Sequence, residues 1–216
     1  MSDFDKDVEY MDFDNGAITD MRPLKNKKEK LSKDERPDSL LREILVNSLY
    51  LLIVLVVTLC IVKFVGQRTV VVGSSMSPTL TDADNLIVDK ISYRFGEPER
   101  FDIIVFPFQY DQSTYYIKRI IGLPGESVRI DEAGVIYIDG QVLDEHYGAE
   151  TIEDPGIAYE EIILGEGEYF VLGDNRNNSS DSRTVAVGNI KREDIIGRAW
   201  LRVYPFSSFG LVKHGE

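Results

Sequence analysis

Apolar residues follow two different rhythms along this chain. From Ile44 to Val62 the sequence reads ILVNSLYLLIVLVVTLCIV, uncharged and interrupted only by Asn47, Ser48 and Thr58. A hydrocarbon core of about 30 Å needs roughly 20 helical residues, and the run extends past Lys63, whose stem can snorkel, to Phe64 and Val65. A buried helix of a soluble domain usually keeps a polar stripe, and this segment has none. It predicts a transmembrane helix over residues 43–65. From Thr69 onward the rhythm changes to short β-branched or aromatic runs: 69–72, 85–89, 102–106, 114–121, 127–130, 135–138, 168–172 and 199–204. Pro78, Gly96 with Pro98, Leu123-Pro124-Gly125 and Gly173-Asp174-Asn175 punctuate them, and Asp139-Gly140 between VIYI and QVL signals a type I′ hairpin. No segment after residue 66 sustains a helical period beyond a turn or two. The prediction is a mostly β protein, a single N-terminal transmembrane helix followed by an antiparallel β-sheet domain over 66–216. Residues 144–165, acidic and containing Pro155, read as an excursion from the core sheet.

Charge sets the orientation. Residues 1–20 carry seven acids and one base, Lys6. Arg22 to Arg42 holds eight bases among four acids, while only Lys63 and Arg68 lie near the far end of the span. Residues 1–42 thus read as a disordered cytoplasmic tail ending in a basic juxtamembrane segment that contacts anionic lipid. The positive-inside rule puts everything after about residue 66 outside the cell membrane. A cleaved signal peptide would begin much nearer the N-terminus, so the span reads as an uncleaved single-pass anchor.

Composition narrows the chemistry. The chain has 216 residues and 37 acids against 24 bases, a formal charge of −13, which disfavours sequence-independent binding to nucleic acid. The one cysteine, Cys60, excludes an intramolecular disulfide or a multi-cysteine zinc site, and it falls in the span as a small hydrophobe. Two histidines, His146 and His214, leave little scope for a histidine cluster.

Three segments carry candidate chemistry. GSSMSPTL (73–80) places serines at a strand end before a proline turn, a fixed and exposed setting that suits a nucleophile, although taken alone such a Ser-rich turn is more often an ordinary surface loop. In TYYIKRIIGLPGE (114–126), Lys118 shares a strand face with Tyr116 and Ile120, while Arg119 shares the other with Ile117 and Ile121. An apolar setting favours the neutral amine and makes Lys118 a candidate general base; the plain alternative is an edge-strand lysine that blunts aggregation. GDNRNNSSDSR (173–183) follows an apolar strand and supplies more donors and acceptors than a solvated loop needs, above all the Asp181 and Arg183 pair.

An anchored β domain carrying SMSPTL, KRIIGLPGE and GDNRNNSSDSR in this order resembles the bacterial type I signal peptidases over roughly residues 40–208. The resemblance implies a serine endopeptidase that removes signal peptides from exported preproteins with a Ser/Lys dyad and no cofactor or metal. It implies Ser75 as nucleophile, Lys118 as general base, Ser179 as the serine that orients the lysine, and Asp181 and Arg183 as a supporting pair. Two positions depart from the family pattern. Gly73 stands where some members have a serine that completes the oxyanion hole, which leaves that hole to the Ser75 N–H and other backbone groups; Ser74 points to the opposite face. Phe101 precedes Asp102 where the family usually has glycine.

On this reading Lys118 takes the Ser75 proton, an ester forms, and Lys118 then activates water. The substrate adds a strand to edges near Val71, Val72 and Gly73 and near Tyr115, Tyr116 and Ile117, with small side chains at the first and third residues before the cut. Membrane lipid is the expected surface, aided by aromatics such as Phe101, Phe106, Phe108 or Trp200, with the export machinery nearby. A histidine-based hydrolase would need His146 or His214 to reach a serine. An anchored, non-catalytic peptide-binding β module is the alternative from another class, although it has no need of a lysine on an apolar strand face.

Overall fold

The computed structural model describes residues 37–60 and 66–215. Most of the tail and basic segment, and residues 61–65 at the end of the expected anchor, lie outside the described residues. Helix α1 (Pro37–Cys60) contains the apolar stretch Leu40–Leu59, long and apolar enough to cross a membrane, with a mean hydropathy of 2.2. The side chains of 40–59 are all exposed, and a helix that is apolar all round and covered by no protein suits a lipid environment. Thr58 Oγ1 donates to the Val54 carbonyl at 2.8 Å, so its hydroxyl is satisfied within the helix.

The β region holds two antiparallel sheets. The strands of the larger are β1 (Gly66–Val70), β2 (Asn85–Asp89), β3 (Ile103–Phe108), β4 (Asp111–Gly122), β9 (Glu168–Leu172), β10 (Ile190–Lys191), β11 (Gly197–Tyr204) and β12 (Gly210–Leu211). They run in the order β1-β2-β11-β3-β4-β9-β10, with β12 beside β11. The smaller sheet has the order β7-β6-β5-β8, from β5 (Ser127–Ile130), β6 (Ile136–Ile138), β7 (Gln141–Val142) and β8 (Ile162–Ile163). A one-turn helix, α2, covers Ser92–Phe95.

Sequence and structure agree residue for residue at β2, β5 and β9. The first strand is displaced: β1 pairs Gly66–Val70 with β2, and Val71 instead bonds the following turn, its N–H to the Asp84 carbonyl and its carbonyl to the Ala83 N–H. The excursion at 144–165 is more integral than its composition suggests. Ile152, Ala158 and Leu164 are buried with Val128, Ile130 and Phe170, and β8 pairs with β5. These three residues complete a core that the small sheet alone would leave open.

β4 is the central strand of the site. Asp111 to Arg119 pairs with β3 on one side, and from Arg119 onward β4 also pairs with β9. Its buried stretch, Ile117 to Gly122, contributes to three apolar cores, through Ile117, Ile120 and Ile121, which is why a lysine there loses its water.

The Asp139-Gly140 turn adopts left-handed backbone at both positions (φ 49 and 75) and joins Ile138 to its partner Gln141, the geometry expected of a type I′ hairpin. A Cβ on Gly140 would meet no atom within 4 Å, so a substitution there costs conformational energy alone. Gly140→Ala is expected to lower unfolding free energy by about 1 kcal/mol with activity unchanged, measured by denaturant titration of the detergent-solubilised protein.

Candidate active site

The turn after β1 presents Ser75. Ser77 N–H returns to the Ser74 carbonyl at 3.0 Å and Leu80 N–H to the Met76 carbonyl at 2.9 Å. Met76 and Leu80 are buried as pegs in the core shared with Val105 and Ile117. With Val71 buried ahead of the turn, this pegging holds Ser75 half-buried between the anchored Val71 and Met76. Lys118 Nζ lies 2.8 Å from Ser75 Oγ and donates to the Ile117 carbonyl at 3.0 Å. The lysine is only 4% exposed, and the Tyr116 ring on the same strand face sits 5.1 Å from Nζ. Burial lowers the Lys118 pKa to about 8, against the opposing pull of Asp181 and Asp174.

The loop after β9 is laced onto the serine turn. Asn175 N–H donates to the Ser75 carbonyl at 3.0 Å, Asn175 Nδ2 to the Ser74 carbonyl at 3.2 Å, and Asn178 Nδ2 to Ser74 Oγ at 3.0 Å. Gly173 permits the approach: a Cβ there would lie 2.2 Å from Ser179 Oγ and 2.4 Å from the Ser75 carbonyl oxygen. Behind it two carboxylates are each held by a guanidinium. Asp181 takes Arg183 Nε and Nη2 at 2.8 and 2.9 Å and also the Gly173 N–H at 3.1 Å. Asp174 takes Arg119 Nε and Nη2, both at 2.8 Å, and the Thr79 hydroxyl at 2.5 Å.

The structure therefore brings the buried Lys118, Asp181 and Arg183 together behind the half-buried Ser75 and sets Ser179 beside them. Ser179 Oγ is buried and has no hydrogen-bond partner among the described residues, so the bond to Lys118 implied by the resemblance is not formed here. The Gly73 N–H is engaged by Asp82 Oδ1 at 2.8 Å, which removes it from an oxyanion hole. Phe101, at the second departure, takes the left-handed conformation (φ 71) that glycine adopts at least cost, and its ring packs against Tyr147 with centroids 4.9 Å apart. Sequence reading missed Arg119 and Thr79 as partners of Asp174, and missed Glu145, which pairs with Arg176 at 2.6 Å from within the supposed excursion. A second basic residue in a strand that enters the core was the available signal. Neither histidine hydrogen-bonds to Ser75: His146 is exposed beside Asp144, and His214 accepts from the Ile103 N–H.

The lowered pKa carries a stability consequence. Between about 8 and the ordinary lysine value the unfolded chain binds the proton that the folded chain releases, so stability rises with pH across that window and the full penalty applies below it. Lys118→Met is expected to be more stable than the parent at pH 7, by up to about 3 kcal/mol, with the gap closing as pH rises from 8 to 10.5 in pH-dependent denaturation.

Comparison with known proteins places these features. Residues 42–204 match the family model described as signal peptidase, peptidase S26. The chain is 43% identical over 154 residues to a probable signal peptidase I-2 of Synechocystis, covering 69% of this chain and 68% of that protein. It is 40% identical over 167 residues to a probable signal peptidase I-1 of the same organism, covering 74% and 82%. With signal peptidase IB of Staphylococcus aureus it shares 31% identity over 183 residues, 78% of this chain and 93% of that one. The stretch matched by the family model contains both the turn serine and the buried lysine, and on that match and these identities the chain belongs to the signal peptidases of peptidase family S26.

Proposed function

We propose that this signal peptide-cleaving serine peptidase works through Ser75 as nucleophile and Lys118 as general base. The observation that carries the assignment is the 2.8 Å approach of Nζ to Oγ with the amine buried. With its pKa lowered to about 8, a useful fraction of Lys118 is neutral near physiological pH and can take the Ser75 proton as Oγ attacks the scissile carbonyl. Collapse of the tetrahedral species expels the new amine, protonated by Lys118, and leaves an ester on Ser75. Lys118 then draws a proton from water, whose oxygen releases the signal peptide. The Ser75 N–H donates to none of the described residues and is the proposed oxyanion donor. Asp181 and Arg183 hold the Gly173 corner against the serine turn, and Ser179 orients Lys118 once its unpartnered hydroxyl turns onto the amine.

The substrate adds a strand to β4 at Tyr115–Ile117, where one edge pairs with β3 and the other lies ahead of the first β9 pairing at Arg119. Val71 is not available as the opposite wall, because its N–H and carbonyl are both bonded within the turn. That wall starts at the exposed Val72 and continues through Gly73. Preproteins with Ala-x-Ala before the cut are the proposed substrates, delivered by the export machinery.

The basic flank of α1 favours a cytoplasmic N-terminus and an extracytoplasmic β region in a membrane-anchored enzyme. Trp200, Tyr204, Phe206, Phe209 and Leu211, exposed on and after β11, supply a lipid-facing surface. Phe106 does not contribute, being buried in the core.

Ser75→Ala and Lys118→Ala are each expected to reduce cleavage of an Ala-x-Ala preprotein by about 10⁴-fold or more while the protein stays folded. The parent enzyme's kcat/KM is expected to rise with pH through about 8, as Lys118 loses its proton. A limb set near 6.5, roughly the histidine range, would count against lysine. For topology, a cysteine placed at the exposed Val185 is expected to react with a membrane-impermeant maleimide added outside intact cells, and one placed at Ser2 only after lysis.

A further inference from the structure

The segment after β12 lies beyond the residues matched by the family model, yet it is built into the floor of the site. β11 pairs with β3 only at Gly197 and Arg198, and further along the same strand β12 pairs with Leu201 and Arg202. Ile103, fully buried in β3, thus has an N–H beyond the reach of the β11 pairing. His214 supplies the acceptor: Ile103 N–H donates to its Nδ1 at 2.9 Å. The Val212 N–H donates to the Trp200 carbonyl at 2.9 Å and the Val212 side chain is buried, so the segment is pinned on both sides of Lys213. This fixes the His214 carbonyl, which accepts from Arg119 Nη1 at 3.1 Å while the same nitrogen donates to the Phe101 carbonyl at 2.9 Å. Arg119 places Nε and Nη2 on Asp174, and its guanidinium carbon lies 3.8 Å from the Tyr147 ring centroid.

We propose that His214 is a positioning residue for the peptidase reaction, a clasp whose side chain seats the segment that holds Arg119, and through Arg119 the carboxylate of Asp174, in place against Thr79 of the serine turn. The inference rests on the Ser75/Lys118 reading. Each link is a contact already described: His214 to Ile103 and Arg119, Arg119 to Asp174, Asp174 to Thr79 in the serine turn. The acceptor role requires an unprotonated Nδ1. Burial favours the neutral ring, with Asp102 (3.6 Å from Nδ1) opposing and Arg198 and Arg119 assisting. Lys118 is in turn faced by the carboxylates of Asp174 and Asp181 and by the Tyr116 ring. Loosening Arg119 leaves the Asp174 charge less compensated and admits water, and both raise the Lys118 pKa toward its ordinary value.

The test uses full-length protein in detergent micelles with an Ala-x-Ala preprotein. His214→Ala is expected to lower kcat about tenfold with KM unchanged and to move the limb controlled by Lys118 to higher pH. His214→Asn, whose Oδ1 can occupy the Nδ1 position and accept from Ile103, is expected to restore both. Lys213→Ala, at an exposed neighbouring position, is expected to change neither. If His214→Ala does not accumulate folded, His214→Gln carries the test, since its amide fills the space but places its oxygen one bond too far. Wild-type kcat and an unmoved limb in the Ala or Gln variant would overturn the proposal, as would a loss of activity only in proportion to the folded fraction, or failure of Asn to rescue. Ser75→Ala and Lys118→Ala run alongside. If either cleaves, the dyad reading itself fails; if both are inactive and His214→Ala behaves as wild type, only the clasp fails.

Discussion

An amine must be dry to serve as a base at moderate pH, and the rest of this structure is arranged around that need. An exposed lysine is almost wholly protonated near neutrality, so no placement of it beside a serine would suffice. Lys118 escapes by lying where β4 enters the core, paired with β3 and one residue ahead of the first pairing with β9. The penalty it carries, on the order of 3 kcal/mol, is comparable with what a single poorly screened carboxylate would return. Two carboxylates, Asp174 and Asp181, act on it. Each is neutralised by a bidentate arginine, and the amine stays dry without being drawn back to its charged form by bare negative charge.

The same pairs solve a second problem, that the reacting groups come from distant parts of the chain. Ser75 belongs to a turn, Lys118 to a strand, and the loop after β9 touches both. Buried arginines fit this task because a planar guanidinium can bind a carboxylate with two nitrogens and a backbone carbonyl with a third. Arg183 does so across Asp181 and the Asp154 carbonyl, and Arg119 across Asp174 and the carbonyls of Phe101 and His214. The acidic excursion is thereby tied to the site: Ile157 N–H donates to the Arg183 carbonyl, and Glu145 holds Arg176.

How far the sequence reveals this depends on the range of each signal. Strand alternation makes Lys118 a candidate by aligning it with Tyr116 and Ile120, and the small-residue turn at 73–80 offers serines, but it is the resemblance of the three motifs together that singles out Ser75 and Lys118. Asp181 and Arg183 are two residues apart and read as a pair. The Thr79–Asp174 bond and the Arg119–His214 contact each span 95 positions, and no local pattern announces them. Strands of two residues, such as β7, β8, β10 and β12, are too short to show alternation. The displaced first strand has a related cause: Thr69 to Val72 has the β-branched composition of a strand, but register is set by partners, and Asp84 and Ala83 claim the backbone of Val71.

Phe101 shows how a departure from a family pattern can be absorbed. The left-handed conformation costs a bulky residue about 1–2 kcal/mol, and glycine there would avoid most of it. That conformation nevertheless has to be kept, because it lets the Phe101 N–H reach the Ile120 carbonyl while its own carbonyl accepts from Arg119. The phenyl ring offsets part of the cost by packing on Tyr147, whose ring also lies against the Arg119 guanidinium. The strained residue and the buried arginine thus share one aromatic wall. The geometry of this corner follows from the backbone acceptor that Arg119 needs, and the side chain at position 101 is free to differ as long as that carbonyl is presented.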